Sequence, residues 1–170
     1  MKNLKQYIVA ALLLTIAFQL PAQGYKLPAY EKFKLPNGLV IYLMEQHEVP
    51  LISVSAILPA GAIYDGEKSG LASLTAAGLK HGTRSMTKAQ LDEQLDFLGA
   101  NVNTFASKES SGLSAKFSAK DKDKILSIIK DILLQPLFDS TEFTKEKKRL
   151  LVSLEQQKES PRSVIGAYFD

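Results

Sequence analysis

Few side chains in this sequence have the chemistry for catalysis or metal binding. The chain holds two histidines and no cysteine. The candidate groups are the Ser73 hydroxyl, the His47 and His81 imidazoles and the Glu155 carboxylate. A serine becomes a nucleophile when a neighbouring base takes its proton, and imidazole or carboxylate groups can bind zinc. Because no histidine or lysine lies beside Ser73 on its predicted helix, we do not expect a serine nucleophile there.

Residues 70–83, GLASLTAAGLKHGT, predict a short apolar helix that ends at a Gly-Thr break. Residues at i, i+3 and i+4 share one helix face, and two histidines four positions apart on such a face can hold one zinc ion. One face of this predicted helix carries Ser73, Ala76 and Ala77. A hydroxyl is a poor zinc donor and a methyl group is none. The face therefore lacks the groups that a catalytic zinc site requires.

Periodicity and turn signals predict the elements that would position this helix. A Pro-Asn-Gly turn at 36–38 indicates a hairpin, and Thr87 with Gln90 indicates a capping box. The predicted strands are 39–44, 50–58, 101–107 and 111–119, and the predicted helices are 70–80, 87–98, 121–134 and 139–158. Two strands, two helices, two strands and two helices predict an α+β domain with helices packed on an antiparallel sheet.

The first 23 residues have the pattern of an export signal. Lys2 and Lys5 precede an apolar run from Tyr7 to Leu20, and the small residue Ala22 follows it. The run is short for a membrane-spanning helix, so we expect cleavage and no stable membrane anchor. Loss of the two lysines lowers the net charge from +3 to +1, which gives no general attraction to nucleic acid. The sequence predicts an exported, periplasmic protein.

Four stretches, in order and at matching spacing, resemble the insulinase-like (pitrilysin, M16) metallopeptidase family. They are residues 33–66, 69–87, 94–121 and 143–161. The resemblance implies an αβ roll of the mitochondrial-processing-peptidase type, with residues 24–170 as a C-terminally truncated N-terminal domain. In active members the first helix carries an inverted zinc motif, His-x-x-Glu-His, whose three functional positions are occupied here by Ser73, Ala76 and Ala77.

The resemblance also implies a third zinc ligand, a glutamate on a later helix, which the alignment places at Glu155. A single carboxylate cannot hold zinc at useful affinity, so we expect neither bound zinc nor peptidase activity. The leading interpretation is a non-catalytic subunit that binds peptide and pairs with an active, zinc-bearing homologue. In active relatives a peptide adds as a strand beside the metal helix, which here implies the edge segment 101–107.

Two alternatives stay open from the sequence. A zinc endopeptidase with an atypical metal site would use His81 and Glu155, although His81 is otherwise expected as an ordinary surface or C-cap residue. A stand-alone periplasmic peptide-binding protein would need no partner. His47, in the polar turn 45–48, is expected to be solvated. The small residues 76–78 either allow close helix-to-sheet packing or leave room for a bound segment.

Overall fold

The computed structural model describes residues 28–159 together with Pro161 and Ile165. The predicted signal peptide, residues 1–23, lies outside the described residues. The chain forms two compact units, one ending at His47 and the other beginning at Glu48. In the part of the chain that the structure describes, no helix is both long enough and apolar enough to cross a membrane.

The first unit contains the predicted hairpin. Strands β1 (Glu31–Lys34) and β2 (Val40–Leu43) pair antiparallel. The turn between them closes because the Asn37 side-chain oxygen accepts a hydrogen bond from the Leu39 amide at 3.1 Å. Gly38 has a φ of +89°, which glycine adopts without steric cost. The hairpin prediction is confirmed, although the second strand is shorter than the predicted 39–44.

The second unit is built on a three-stranded antiparallel sheet. It contains β3 (Leu51–Leu58), β4 (Asn101–Ala106) and β5 (Ser111–Ser118) in the order β3-β5-β4. Successive side chains of a strand point to opposite faces, and the burial pattern follows this rule in β4 and β5. One face of the sheet therefore meets the helices, and β4 is an edge strand of this sheet.

Four α-helices complete the described part of the second unit. They are α1 (Leu71–Gly78), α2 (Lys88–Phe97), α3 (Lys122–Leu134) and α4 (Ser140–Glu159). The predicted capping box at the start of α2 is present, since Thr87 and Gln90 exchange hydrogen bonds. Helix α1 is shorter than the predicted 70–80, because the chain turns at the C-terminal end of this helix into the loop that begins at His81.

A single apolar core joins α2 and α3 to the inner face of the sheet. Its buried members are Leu91, Leu95, Val102, Leu113, Ala115, Phe117, Ile125, Ile128, Ile129 and Ile132. The isoleucine stripe predicted for the third helix is the face of α3 that points into this core. The α+β class with helices on an antiparallel sheet is confirmed.

Candidate functional site

The start of α1 is held by the Asp65 carboxylate. Its Oδ2 accepts the Gly70 N–H and its Oδ1 accepts the Ala72 N–H, each at 2.8 Å. The first N–H groups of a helix have no partner within the helix and carry partial positive charge, so a carboxylate placed there stabilises the helix. Asp65 was not among the candidates predicted from the sequence. Its signal was an acidic side chain a few residues before the helix.

The three positions on α1 that the family resemblance assigns to the zinc motif carry no metal donor. Ser73 is exposed, Ala76 is buried and Ala77 is half-buried. The zinc that the family resemblance implies does not fit this face, because one exposed hydroxyl and two methyl groups offer it no adequate ligand. Among the described residues, no three histidine, cysteine or acidic side chains lie close enough together to share a metal ion.

Helix α4 crosses α1 in the opposite direction. A Cβ built on Gly70, just before α1, would lie 4.0 Å from the Leu150 side chain. At the other end of α1, a Cβ built on Gly78 would lie 3.6 Å from the Phe143 ring and 2.9 Å from the Phe138 ring. The two contacts fix which part of α4 lies beside the motif helix, namely the stretch from Phe143 to Leu150.

Glu155 lies beyond that stretch, where it is exposed. It follows Leu150 by five residues, which at 1.5 Å per residue is roughly 7.5 Å past the start of α1. His81 follows the other end of α1, and Glu155 lies about 18 Å further along α4 than Phe143. The structure therefore does not bring His81 and Glu155 together, and an atypical metal site made from these two residues has no geometric basis.

The acidic residue of α4 between the two contacts is Glu146. Spacings of three and four residues from Phe143 and Leu150 place it on the same helix face as both. Its carboxylate accepts a hydrogen bond from the Arg149 guanidinium at 2.6 Å. Glu146 was not among the candidates predicted from the sequence, because the antiparallel register of α1 and α4 is not visible there.

Glu142, one turn earlier on α4, is also paired. The Lys145 ammonium donates a hydrogen bond to it at 2.6 Å, and this bond holds the pKa of the Glu142 carboxyl below its ordinary value. A weaker contribution in the same direction comes from the nearby His81. The carboxylates along this part of α4 thus belong to ion pairs of the helix surface.

His81 is not the surface residue that the sequence suggested. It is only 5% exposed, and its Nδ1 atom is buried without a hydrogen-bond partner in the described structure. The cause is the tight turn after α1, where Gly82 has a φ of +112° and the Gly82 carbonyl accepts a hydrogen bond from the Leu137 amide. His47, by contrast, is exposed as predicted, with its Nε2 3.4 Å from a Glu45 carboxylate oxygen.

Two surface features lie beside α1. On one side α1 packs against β4, whose other edge has no strand paired with it among the described residues. On the other side a cavity of about 350 Å³ lies between α1 and the ends of β3 and β5. Its walls include the side chains of Leu58, Tyr64, Leu71, Ala76, Leu79 and Leu133. Ala76, which the resemblance assigns to the glutamate position of the zinc motif, therefore faces an apolar space.

Fold and site define an α+β domain of the metallopeptidase type in which Ser73, Ala76 and Ala77 of α1 offer no metal donor. The family model described as Insulinase (Peptidase family M16) matches residues 40–168. The chain belongs to this family, and the resemblance noted in the sequence is confirmed.

Similar proteins carry different names. An uncharacterised zinc protease of Rickettsia felis is 26% identical over 137 residues, covering 80% of this chain and 33% of that protein. Subunit 1 of the mitochondrial cytochrome b-c1 complex of Bos taurus is 26% identical over 142 residues, covering 83% of this chain and 29% of that protein. The chain thus spans about a third of the length of these relatives.

The fold has a close counterpart among solved structures. The inactive domain of a peptidase M16 from Pseudomonas fluorescens superposes with a TM-score of 0.77 at 22% identity. The superposition covers 80% of this chain and 34% of the other one. At this level of identity the similarity supports the αβ architecture, which agrees with the fold described above.

Proposed function

We propose that this chain is part of a non-catalytic M16-type subunit that binds peptide and supports an active zinc peptidase partner. The observation that carries the proposal is the contrast within α1. The helix is anchored at its start by Asp65 and packed on the sheet and α4, yet Ser73, Ala76 and Ala77 supply no zinc ligand. The scaffold of the site is kept while its chemistry is missing.

A peptide-binding role is supported by the position of β4. Its free edge presents backbone N–H and C=O groups beside α1, and an extended peptide can pair with such an edge by adding a strand. The backbone hydrogen bonds supply affinity in this mode of binding, and no metal ion is required for them.

The comparisons are consistent with a role inside a complex. One solved relative is described as an inactive domain, and one sequence relative is named as a subunit of the cytochrome b-c1 complex. Neither name states what this chain binds. An exported, periplasmic location is part of the proposal and rests on the apolar run from Tyr7 to Leu20 after two lysines.

The proposal is tested with the purified full-length protein and an M16 homologue that bears an intact His-x-x-Glu-His motif. We expect no stoichiometric zinc by elemental analysis and no cleavage of a fluorogenic peptide by the protein alone. Addition of the protein is expected to raise the rate of the active homologue. Equimolar zinc together with cleavage that a chelator abolishes would refute the proposal.

Co-purification decides whether the protein acts alone. The proposed subunit is expected to form a stable complex with the active homologue at equimolar ratio in size-exclusion chromatography. A monomer that binds peptide with unchanged affinity in the presence and absence of the homologue would instead identify a stand-alone peptide-binding protein.

A further inference from the structure

The face of the sheet turned away from the helices carries an ordered array of polar side chains. Across the three strands, Ser53, Lys116 and Asn101 stand in register, and so do Ser55, Ser114 and Asn103 two residues further along each strand. Neighbouring strands are about 4.8 Å apart and the two rows are about 6.6 Å apart. We call these six residues the polar array.

The polar array lines a shallow depression. A cavity of about 340 Å³ is bordered by five of the six residues, Ser53, Ser55, Asn101, Ser114 and Lys116. It is open because the side chains at its centre are short, whereas the next row along the strands contains Ile57 and Phe105. The depression is large enough to receive a polar side chain, and a row with apolar side chains follows it along the strands.

Hydrogen-bond donors in the array are available to a ligand. In the described structure the hydroxyls of Ser53, Ser55 and Ser114 have no protein partner. The Asn101 side-chain oxygen accepts a hydrogen bond from the Asn103 amide group, which leaves the two N–H donors of Asn101 unused. Donors from three strands thus converge on one depression.

The polar array carries a positive charge, which comes from Lys116 alone among its six residues. Lys116 is exposed and, within residues 28–159, forms no ion pair. The strand residues on this face of the described sheet include no acidic side chain. One ammonium group surrounded by neutral donors matches a single negative charge, such as a carboxylate. A phosphate dianion would leave a second charge without a counter-ion.

We propose that the polar array binds a carboxylate side chain of the peptide that pairs with β4. This inference rests on the peptide-binding part of the proposed function. Asn101 and Asn103 belong to β4 itself, so a strand added to that edge runs directly beside them. Alternate side chains of the added strand point to the face of the array, and an acidic residue there reaches Lys116 across Asn101.

The row of residues next to the polar array predicts a second preference, for an apolar residue in the bound peptide. Phe105 of β4 and Ile57 of β3 lie opposite Gly112, four residues along β4 from Asn101. Residues i and i+4 of a strand lie on the same face. When an acidic side chain of the bound peptide contacts Lys116, the peptide residue four positions away therefore lies beside Phe105, where an apolar side chain fits. The preferred peptide therefore has an acidic residue and an apolar residue four positions apart.

The test compares two capped peptides that differ only in the end group of one side chain, which is a carboxylate in one and an amide in the other. Both are dye-labelled and rich in valine and threonine, with glutamate at the central position in one and glutamine in the other, and neither has any other charged residue. Binding to the full-length protein is followed by fluorescence anisotropy. We expect the glutamate peptide to bind about twofold to fivefold more tightly, because one ion pair on an open surface contributes about this much. The preference should weaken at high salt.

Two lysine variants separate a local contact from general charge. Lys116→Met is expected to abolish the preference for glutamate, while Lys130→Met, which removes an exposed lysine of α3, should leave it unchanged. Both changes leave the core untouched, so loss of folding does not complicate the result. Inorganic phosphate is tested as a competitor and is expected to displace the peptide poorly.

Each other outcome contradicts one part of the reasoning. Equal binding of the two peptides would refute the carboxylate site and leave the peptide-binding proposal standing. Failure of both peptides to bind would refute both. Displacement by phosphate at concentrations similar to the glutamate peptide would show a general anion site and overturn the assignment to a peptide side chain, as would equal effects of the two lysine variants.

Discussion

Asp65 provides the most direct test of how the motif helix is held in place. Its two carboxylate oxygens accept the N–H groups of Gly70 and Ala72, both at 2.8 Å. Asp65→Ala removes both acceptors and leaves two N–H groups at the start of α1 without a partner. The same change also removes a negative charge from the positive end of the helix dipole.

The expected loss can be worked out from these contacts. Replacement of a capping side chain by alanine costs about 0.5–2 kcal/mol of unfolding free energy, and bonds to a charged acceptor lie at the upper end. Because two bonds are lost at once in a half-buried position, we expect about 2 kcal/mol. Asp65→Asn keeps one acceptor oxygen and turns an amide group toward the second N–H, so about 1 kcal/mol is expected.

Urea unfolding followed by circular dichroism measures the loss, and hydrogen exchange locates it. For Asp65→Ala, exchange in residues 70–79 should become about thirtyfold faster, which corresponds to 2 kcal/mol. Glu67→Ala is the matched control, since this acidic residue lies exposed in the same turn. If both variants lose the same stability, or exchange in α1 stays at the wild-type rate, the assignment of Asp65 as the anchor of α1 is wrong.

Three further predictions follow from the fold. Gly82→Ala should cost about 2 kcal/mol in thermal unfolding, because φ is +112° and the new Cβ would lie 2.9 Å from a backbone oxygen; Gly66→Ala, at φ +57° in open space, should cost about half as much. Leu113→Ala should cost about 2–5 kcal/mol, since the side chain is fully buried, and a loss below 1 kcal/mol would contradict the core described here. Lys145→Met should raise the pKa of Glu142 toward 4.5, measured by carboxyl NMR titration. As the folded pKa is depressed, the pair stabilises the fold above pH 4.5, and this contribution is lost as the pH falls through the lowered value.

The local elements were predictable because their signals are short-range. The capping box of Thr87 and Gln90, the Asn37-Gly38 turn and the isoleucine stripe of α3 each depend on residues within a few positions of one another. The absence of metal donors at Ser73, Ala76 and Ala77 was also visible in the sequence, once the family resemblance had assigned the zinc motif to these positions. The fold class followed from the order of these elements.

The sequence did not predict which distant segments of the chain contact one another, or in which register. The placement of Glu155 away from α1 depends on where α4 meets Gly70 and Gly78. The burial of His81 depends on a turn that bridges Thr83 to Pro136, far apart in sequence. The polar array required the pairing of β3, β4 and β5 to be known, because its members come from three separate segments.

The antiparallel register of α1 and α4 sets a rule for anyone who would engineer a zinc enzyme from this scaffold. Ser73→His, Ala76→Glu and Ala77→His would place two imidazoles and a general base on one face of α1. The distal carboxylate on the facing side of α4 would be Glu146, which is already held by Arg149 at 2.6 Å. A designer would therefore replace Arg149 as well, and the gain of activity would depend on four substitutions on two helices.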